Sequence, residues 1–158
     1  MSAMDSKKVH KPVVPPPQTR KWPAFTERFG KTVREAGITT VPRVLLTGLA
    51  ELKLKPIETI VLLQMIACWG KAGPHPFPKR GLLQKWIGCD KRTLDRTISS
   101  LVKNGFVEKI PRKSSKGRQT SNEYNLAGLV EKLKPLGRKA INTRKRHEAI
   151  RAAAAGGD

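Results

Sequence analysis

The residues best able to do chemistry lie on one face of a predicted helix, residues 91–104. At about 100° per residue, apolar side chains fall on one stripe and polar or basic ones on the opposite stripe. The apolar stripe consists of Leu94, Ile98, Leu101 and Val102. The outward stripe consists of Arg92, Arg96, Ser99 and Lys103, with Thr93 and Ser100 at its margin. It holds no acid, since Asp95 lies to the side. Arginine on such a stripe can donate two hydrogen bonds to a guanine in the major groove, although most basic helix faces are simply solvated.

A second basic group follows in a glycine-containing loop, residues 112–119. Its cations are Arg112, Lys113, Lys116 and Arg118, which surround Gly117. Predicted strands at residues 106–110 and 123–126 flank the loop, so we expect a β-hairpin, with Asn122 in its turn and Tyr124 in its packing. The loop charge suits contact with phosphates or with a minor groove. An exposed hairpin without any ligand would tolerate the same residues.

Two short helices must position these groups. Residues 79–87 predict the first, because their apolar side chains recur at helical spacing. Gly88 suits a left-handed C-cap, and Asp90 can cap the helix that follows. Two helices joined by so short a turn predict a helix-turn-helix. An apolar helix over residues 56–69 precedes them, with Pro56 at its first position and Glu58 favouring its N-terminal dipole. Because it is apolar nearly all round, it needs partners on several sides, one of which could be a second copy.

The sequence thus predicts a mainly α fold with a small β-hairpin, a winged helix-turn-helix with disordered basic tails. Residues 1–21 form a proline-rich basic arm that we expect to be disordered. Residues 22–51 form an N-terminal extension, in which residues 38–46 are expected to be an extended strap or edge strand. The winged domain occupies residues 52–133. Residues 134–158 form a basic, alanine-rich tail whose composition favours a helix, and which either clamps DNA or only solubilises the chain.

Charge and composition limit the class of protein. Lys and Arg number 32 against 12 Asp and Glu, for a net charge of +20, and such an excess suits a polyanionic partner. Apolar runs such as residues 60–63 are far too short to span a bilayer. We expect no metal and no cofactor, because Cys68 and Cys89 are isolated and the three histidines are scattered. We also expect no enzyme activity, since the chain lacks a nucleotide-binding glycine loop and clustered carboxylates.

Several short motifs recur in an order typical of one family. They are the Val41-Pro42 start with Leu45-Leu46, the helix 57–69, Pro76-Phe77-Pro78, Gly88 with Arg92-Thr93, the segment 101–107 (LVKNGFV) and the segment 122–126 (NEYNL). Over residues 41–133 the chain resembles helix-turn-helix domain proteins of bacteria, plasmids and phages, related to replication initiators and DnaD-like N-terminal domains. Two positions depart from that pattern. Lys79 replaces a usual serine cap and could contact a phosphate, and Gln84 replaces a small residue between the two helices.

These patterns favour a sequence-specific binder of double-stranded DNA. We expect a homodimer, in which two copies read two half-sites. In this hypothesis Arg92, Thr93, Arg96 and Ser99 read bases, with Ser100 beside them. Phosphates are held by Lys79, Lys91, Lys103, Arg112, Lys113, Lys116 and Arg118. A transcriptional regulator of the cytoplasm and nucleoid is the leading interpretation. A plasmid or phage replication or partition protein that binds iterated repeats is the alternative, and either would recruit transcription or replication machinery. An RNA-binding or protein-interaction module is a further alternative, although single-strand RNA readers favour exposed aromatic residues.

Overall fold

A computed structural model describes residues 23–70, 74–113, 117 and 120–155 of the chain. Within those residues, the chain forms six helices and one antiparallel pair of strands. In order these are α1 (Pro23–Ala36), α2 (Arg43–Thr47), α3 (Pro56–Ala67), α4 (Arg80–Ile87), α5 (Lys91–Lys103), β1 (Glu108–Ile110), β2 (Glu123–Asn125) and α6 (Ala127–Ala155). The fold is therefore mainly α with a small hairpin, as the sequence predicts.

The chain divides into two compact units at residue 39. In the described part of the first unit, α1 is interrupted at Gly30, whose φ of 82° and ψ of 165° are not helical. The rings of Phe25 and Phe29 lie 4.7 Å apart between centroids. Phe29 is nevertheless 57% exposed, so the contact between the two rings does not bury it.

The described residues of the second unit form a cluster of buried apolar side chains. Helices α2, α3, α4, α5 and α6 and strand β2 all contribute to it. Its members are Leu45, Val61, Leu62, Met65, Leu83, Leu94, Ile98, Leu101, Phe106, Val107, Tyr124, Leu126, Leu129 and Leu133. Burying large apolar side chains is the main source of stability in a small domain. This core therefore fixes α4 and α5 against α3.

The turn between α4 and α5 follows the sequence prediction closely. Gly88 is left-handed with φ of 72°, and its N–H donates to the carbonyl of Gln84 at 2.8 Å. Asp90 then caps α5, because its side chain accepts from the N–H of Thr93. A glycine C-cap followed at once by an aspartate N-cap ends one helix and begins the next within three residues.

The two strands pair antiparallel, with Glu108 opposite Asn125 and Ile110 opposite Glu123. The N–H of Tyr124 donates to the carbonyl of Pro76 at 2.9 Å, so the segment before α4 lies beside β2. Asn125 ends the hairpin and starts the last helix, since its Oδ1 accepts from the N–H of Ala127 at 2.9 Å.

Two predictions outside the winged domain are wrong. Residues 43–47 form the helix α2 instead of an extended strap, because Pro42 stands at the N-cap, where its fixed φ is compatible with a helix start. Leu45 of this helix is fully buried. The tail after residue 134 is also not disordered: it is helical, as its composition favours, since α6 continues through Pro135 to Ala155. Its leucines at 129, 133 and 136 pack on or against the core, and strong helix formers follow them. The N-terminal arm, residues 1–21, lies outside the described residues.

Candidate nucleic-acid interface

The predicted polar face of α5 is present as one exposed stripe. Its members, all exposed, are Arg92, Arg96, Ser99 and Lys103. The opposite side is buried, but its composition differs from the prediction at one position. Val102 is 38% exposed, and Thr97, which is 6% exposed, takes its place in the core. The Thr97 hydroxyl donates to the carbonyl of Thr93 at 2.8 Å, so this polar group is buried without losing its hydrogen bond.

The N-terminus of α5 is held by hydrogen bonds between Asp90 and Thr93. Asp90 Oδ1 accepts from the Thr93 N–H at 2.9 Å, and its Oδ2 accepts from the Thr93 hydroxyl at 2.6 Å. The side-chain bond from Thr93, together with the backbone bond, lowers the pKa of Asp90 below its ordinary value of 3.8. Thr93 is half-buried, and only the acceptor capacity of its hydroxyl is left for a partner. Lys91, one residue before Arg92, is exposed.

Ser100 differs in placement from the other predicted contact residues. Its hydroxyl donates to Oε1 of Glu58 at 2.6 Å, and the Glu58 side chain is 3% exposed. The second oxygen of Glu58 accepts from the N–H of Lys55 at 2.8 Å. The Ser100 hydroxyl therefore joins α5 to the first turn of α3 in the interior, away from the exposed stripe.

Arg80 is a charged residue beside the exposed stripe that the sequence does not predict for this surface. Its guanidinium forms an ion pair and a hydrogen bond with Asp95 of α5. The residue is half-buried, and its Nε is buried without a hydrogen-bond partner among the described residues. Burial raises the pKa of Tyr124, while a hydrogen bond with Asn122 and the positive charge of Arg80 act in the opposite direction. Arg80 thus lies where α4, α5 and β2 meet. The sequence feature that could have indicated Arg80 is its position next to Lys79 at the start of a predicted helix.

The cations of the hairpin loop fall into different surroundings. Arg112 is half-buried, with its guanidinium 4.5 Å from the ring centroid of Phe77 and its Nε 3.1 Å from Glu123 Oε1. Both contacts hold the base of the hairpin, so Arg112 is paired within the protein. Its neighbour Lys113 is exposed. Gly117 has a φ of 72°, a backbone conformation that favours glycine. Lys116 and Arg118 lie outside the described residues.

The two positions that depart from the family pattern are both accommodated. Lys79 is the N-cap residue of α4, is exposed, and makes no side-chain capping bond. This is the expected loss when serine is absent. Gln84 is half-buried, while Leu83 beside it is fully buried in the core.

The described residues offer few features for other kinds of chemistry. Over residues 23–70, 74–113, 117 and 120–155, no three His, Cys, Asp or Glu side chains come together as a metal site. Burial raises the pKa of the Cys68 thiol, which makes it a poorer nucleophile. In the same part of the chain, no helix has the length and apolar character needed to cross a membrane.

A family model described as a helix-turn-helix domain matches residues 52–107, a span that contains α3, α4 and α5. No curated protein is similar to the chain at a significant level. The matched helices and the antiparallel hairpin that follows them make this chain a winged helix-turn-helix protein in fold, with α5 as the second helix of the motif and the β1–β2 hairpin as its wing.

Proposed function

We propose that this chain binds double-stranded DNA in a sequence-specific manner, with α5 in the major groove. The observation that carries the proposal is the stripe of Arg92, Arg96, Ser99 and Lys103 on the second helix of a helix-turn-helix. In this motif the second helix lies in the major groove, with its N-terminal residues at the base edges. Arg92 and Arg96 lie in that half of α5, where each guanidinium can pair with O6 and N7 of a guanine.

The remaining exposed cations supply phosphate contacts in this proposal. Lys79 and Lys91 begin the two helices, Lys103 ends α5, and Lys113 stands on the hairpin, all of them exposed. Lys116 and Arg118 belong to the same loop by sequence. Contacts of this kind fix register and affinity but do not read sequence. The net charge of +20 supports a polyanion as the partner.

We propose further that two copies bind together through one face of α3. Ile60 is 42% exposed on this helix. The residues on the same face are Ile57 and Gln64, which are half-buried, and Ala67, which is exposed. This stripe carries no charge on a chain whose charge would otherwise keep two copies apart. Two copies would read two half-sites about one helical turn apart.

A transcriptional regulator is the biological role that we propose for this binding. The test is selection of bound sequences from a random duplex pool, followed by footprinting on natural DNA that contains the selected site. We expect a palindrome whose protected site lies upstream of a gene. Direct repeats within a replication origin would instead support the replication or partition role. Recovery of unselected, random sequences would contradict sequence-specific binding altogether.

A further inference from the structure

We propose that Arg80 binds a DNA phosphate at the edge of the reading helix, and that Asp95 is the residue that positions its guanidinium. The proposal rests on the DNA-binding function above and assigns a contact within that same site. It also explains why α5 carries one carboxylate close to a face that otherwise holds only basic and hydroxyl side chains.

The first step is the position of Asp95 on α5. It lies three residues after Arg92 and four before Ser99, so the three side chains are neighbours on the helix surface. At about 100° per residue, Asp95 is displaced by about 60° from Arg92, toward one flank of the stripe. A helix about 10–12 Å in diameter fills a major groove about 12 Å wide, so its flanks lie against the phosphate backbones.

The second step is charge. A lone carboxylate at that flank would repel phosphates, because like charges facing each other disfavour association. Asp95 is not alone, since Arg80 of α4 pairs with it directly. The side chains remain 41% and 35% exposed for Arg80 and Asp95 respectively. The pair is therefore accessible from outside, and its site carries no net negative charge.

The third step is the donor capacity of Arg80. A guanidinium has five N–H donors in a rigid planar fork. One nitrogen of the fork pairs with Asp95, and the buried Nε faces the interior. We assign the remaining N–H groups, on a side chain that is 41% exposed, to the phosphate. An oriented fork suits phosphate better than a mobile ammonium does, and Asp95 supplies that orientation.

The arrangement also connects the reading helix to the wing. Arg80 is close enough to Tyr124 of β2 for its charge to act on the hydroxyl, while Asp95 belongs to α5. A phosphate bound here would contact the protein where the two DNA-binding elements meet. A purely structural ion pair between α4 and α5 is the competing explanation. It predicts that Arg80→Ala leaves the salt slope unchanged when residue 95 is already asparagine, so that no unpaired carboxylate repels the DNA.

The experiment measures duplex affinity against salt for the full chain and for Arg80→Ala, Arg80→Lys, Asp95→Asn and the double variant Arg80→Lys/Asp95→Asn. Arg80→Ala/Asp95→Asn, compared with Asp95→Asn, is the control in which no unpaired carboxylate remains. Binding uses the selected duplex, and circular dichroism establishes that each variant is folded. We expect Arg80→Ala to weaken binding about tenfold at 0.1 M salt and to make the log–log salt slope shallower by about one. Arg80→Lys should restore the slope but bind about three- to fivefold more weakly than wild type.

The double variant tests the role of Asp95. If Asp95 orients the guanidinium fork, arginine and lysine at position 80 should bind equally well once residue 95 is asparagine. An unchanged salt slope in Arg80→Ala overturns the phosphate assignment. An arginine advantage of the same size in both backgrounds overturns the positioning role.

The failure of the proposed function can be told apart from the failure of this assignment. If wild type binds no duplex, both fail. If wild type binds selectively and the salt slope of Arg80→Ala equals that of wild type, only the assignment of Arg80 to a phosphate fails. Should Arg80→Ala not fold, the salt slope is measured on Arg80→Gln instead. The lysine variants then decide whether Asp95 positions residue 80.

Discussion

The hydroxyl of Ser100 donates to Oε1 of Glu58 at 2.6 Å across the contact between α5 and α3. Glu58 is 3% exposed, and its other oxygen accepts from the Lys55 N–H. The same carboxylate thus accepts a hydrogen bond at the start of α3 and another from one flank of α5. On the other flank, Asp95 pairs with Arg80. The exposed stripe of α5 lies between these two fixed flanks.

The first prediction concerns Ser100→Ala. It should lower the free energy of unfolding by about 1–3 kcal/mol, because the buried carboxylate of Glu58 loses a donor. The affinity of the folded protein for the duplex should stay within a factor of about two of wild type, because Ser100 makes no DNA contact in this account. Urea unfolding and a duplex titration measure the two effects.

Ser99→Ala is the matched control, because Ser99 is exposed on the neighbouring position. It should leave stability within about 0.5 kcal/mol of wild type and should weaken binding to the selected duplex. If Ser100→Ala instead weakens binding while leaving stability unchanged, the interior role of Ser100 is wrong.

The second prediction compares Arg112→Ala with Lys113→Ala. Arg112 contacts Phe77 and Glu123, so its loss should destabilise the hairpin by about 1 kcal/mol and change the salt slope little. Lys113 is exposed, so its loss should leave stability unchanged and make the salt slope shallower by about one. The reverse assignment of the two effects would show that Arg112 is the wing cation that contacts DNA.

The third prediction concerns the start of α6. A Cβ added to Gly128 would lie 2.2 Å from the carbonyl oxygen of Gly105, and backbone cannot move aside as a flexible side chain can. Gly128→Ala should therefore destabilise the domain by about 2 kcal/mol or more, in the range of overpacked sites. Gly137→Ala, in the same helix but with no atom near its added Cβ, should stabilise by about 0.5–1 kcal/mol. Thermal unfolding of both variants checks this, and equal effects would refute the close approach at Gly128.

The fourth prediction is a pH dependence from Asp90. Hydrogen bonds from Thr93 lower its pKa below the ordinary value of 3.8 in the folded state. A depressed folded pKa stabilises the protein above the unfolded pKa, and this contribution is lost as pH falls through the folded pKa. Wild type should therefore lose stability relative to Asp90→Asn as pH falls from 3.8, because asparagine caps a helix without titrating. Denaturant unfolding from pH 7 to pH 2 measures this, and a constant difference below pH 3.8 would contradict it.

The helix-turn-helix could be predicted from the sequence because its signals are local. Gly88 and Asp90 mark the turn within three residues, and the period of α5 separates a polar stripe from a buried one without any knowledge of tertiary structure. The predicted apolar stripe is wrong only at its edge, where Val102 is exposed and Thr97 is buried instead. Periodicity alone does not say which neighbouring helix covers a flank of α5.

The contacts that fix the site could not be predicted in the same way. Ser100 and Glu58 are 42 residues apart, and Arg80 and Asp95 are 15 apart, so both pairs depend on how helices pack. Residues 43–47 are predicted to be extended but form a helix, because Pro42 suits an extended segment and a helix N-cap equally well. The buried position of Leu45 decides between the two, and burial is a property of the folded chain.

The central claim is that α5 reads DNA sequence, and Arg96→Ala tests it most directly. Arg96 is exposed in the middle of the stripe and contacts no acid in the described part of the chain. Affinities of wild type and Arg96→Ala are measured on the selected duplex and on a duplex changed at each position in turn. We predict a loss of about 1–3 kcal/mol on the selected duplex, with discrimination lost at one base pair and kept at the others. If Arg96→Ala binds every duplex as tightly as wild type does, α5 does not read DNA through Arg96 and the account is wrong.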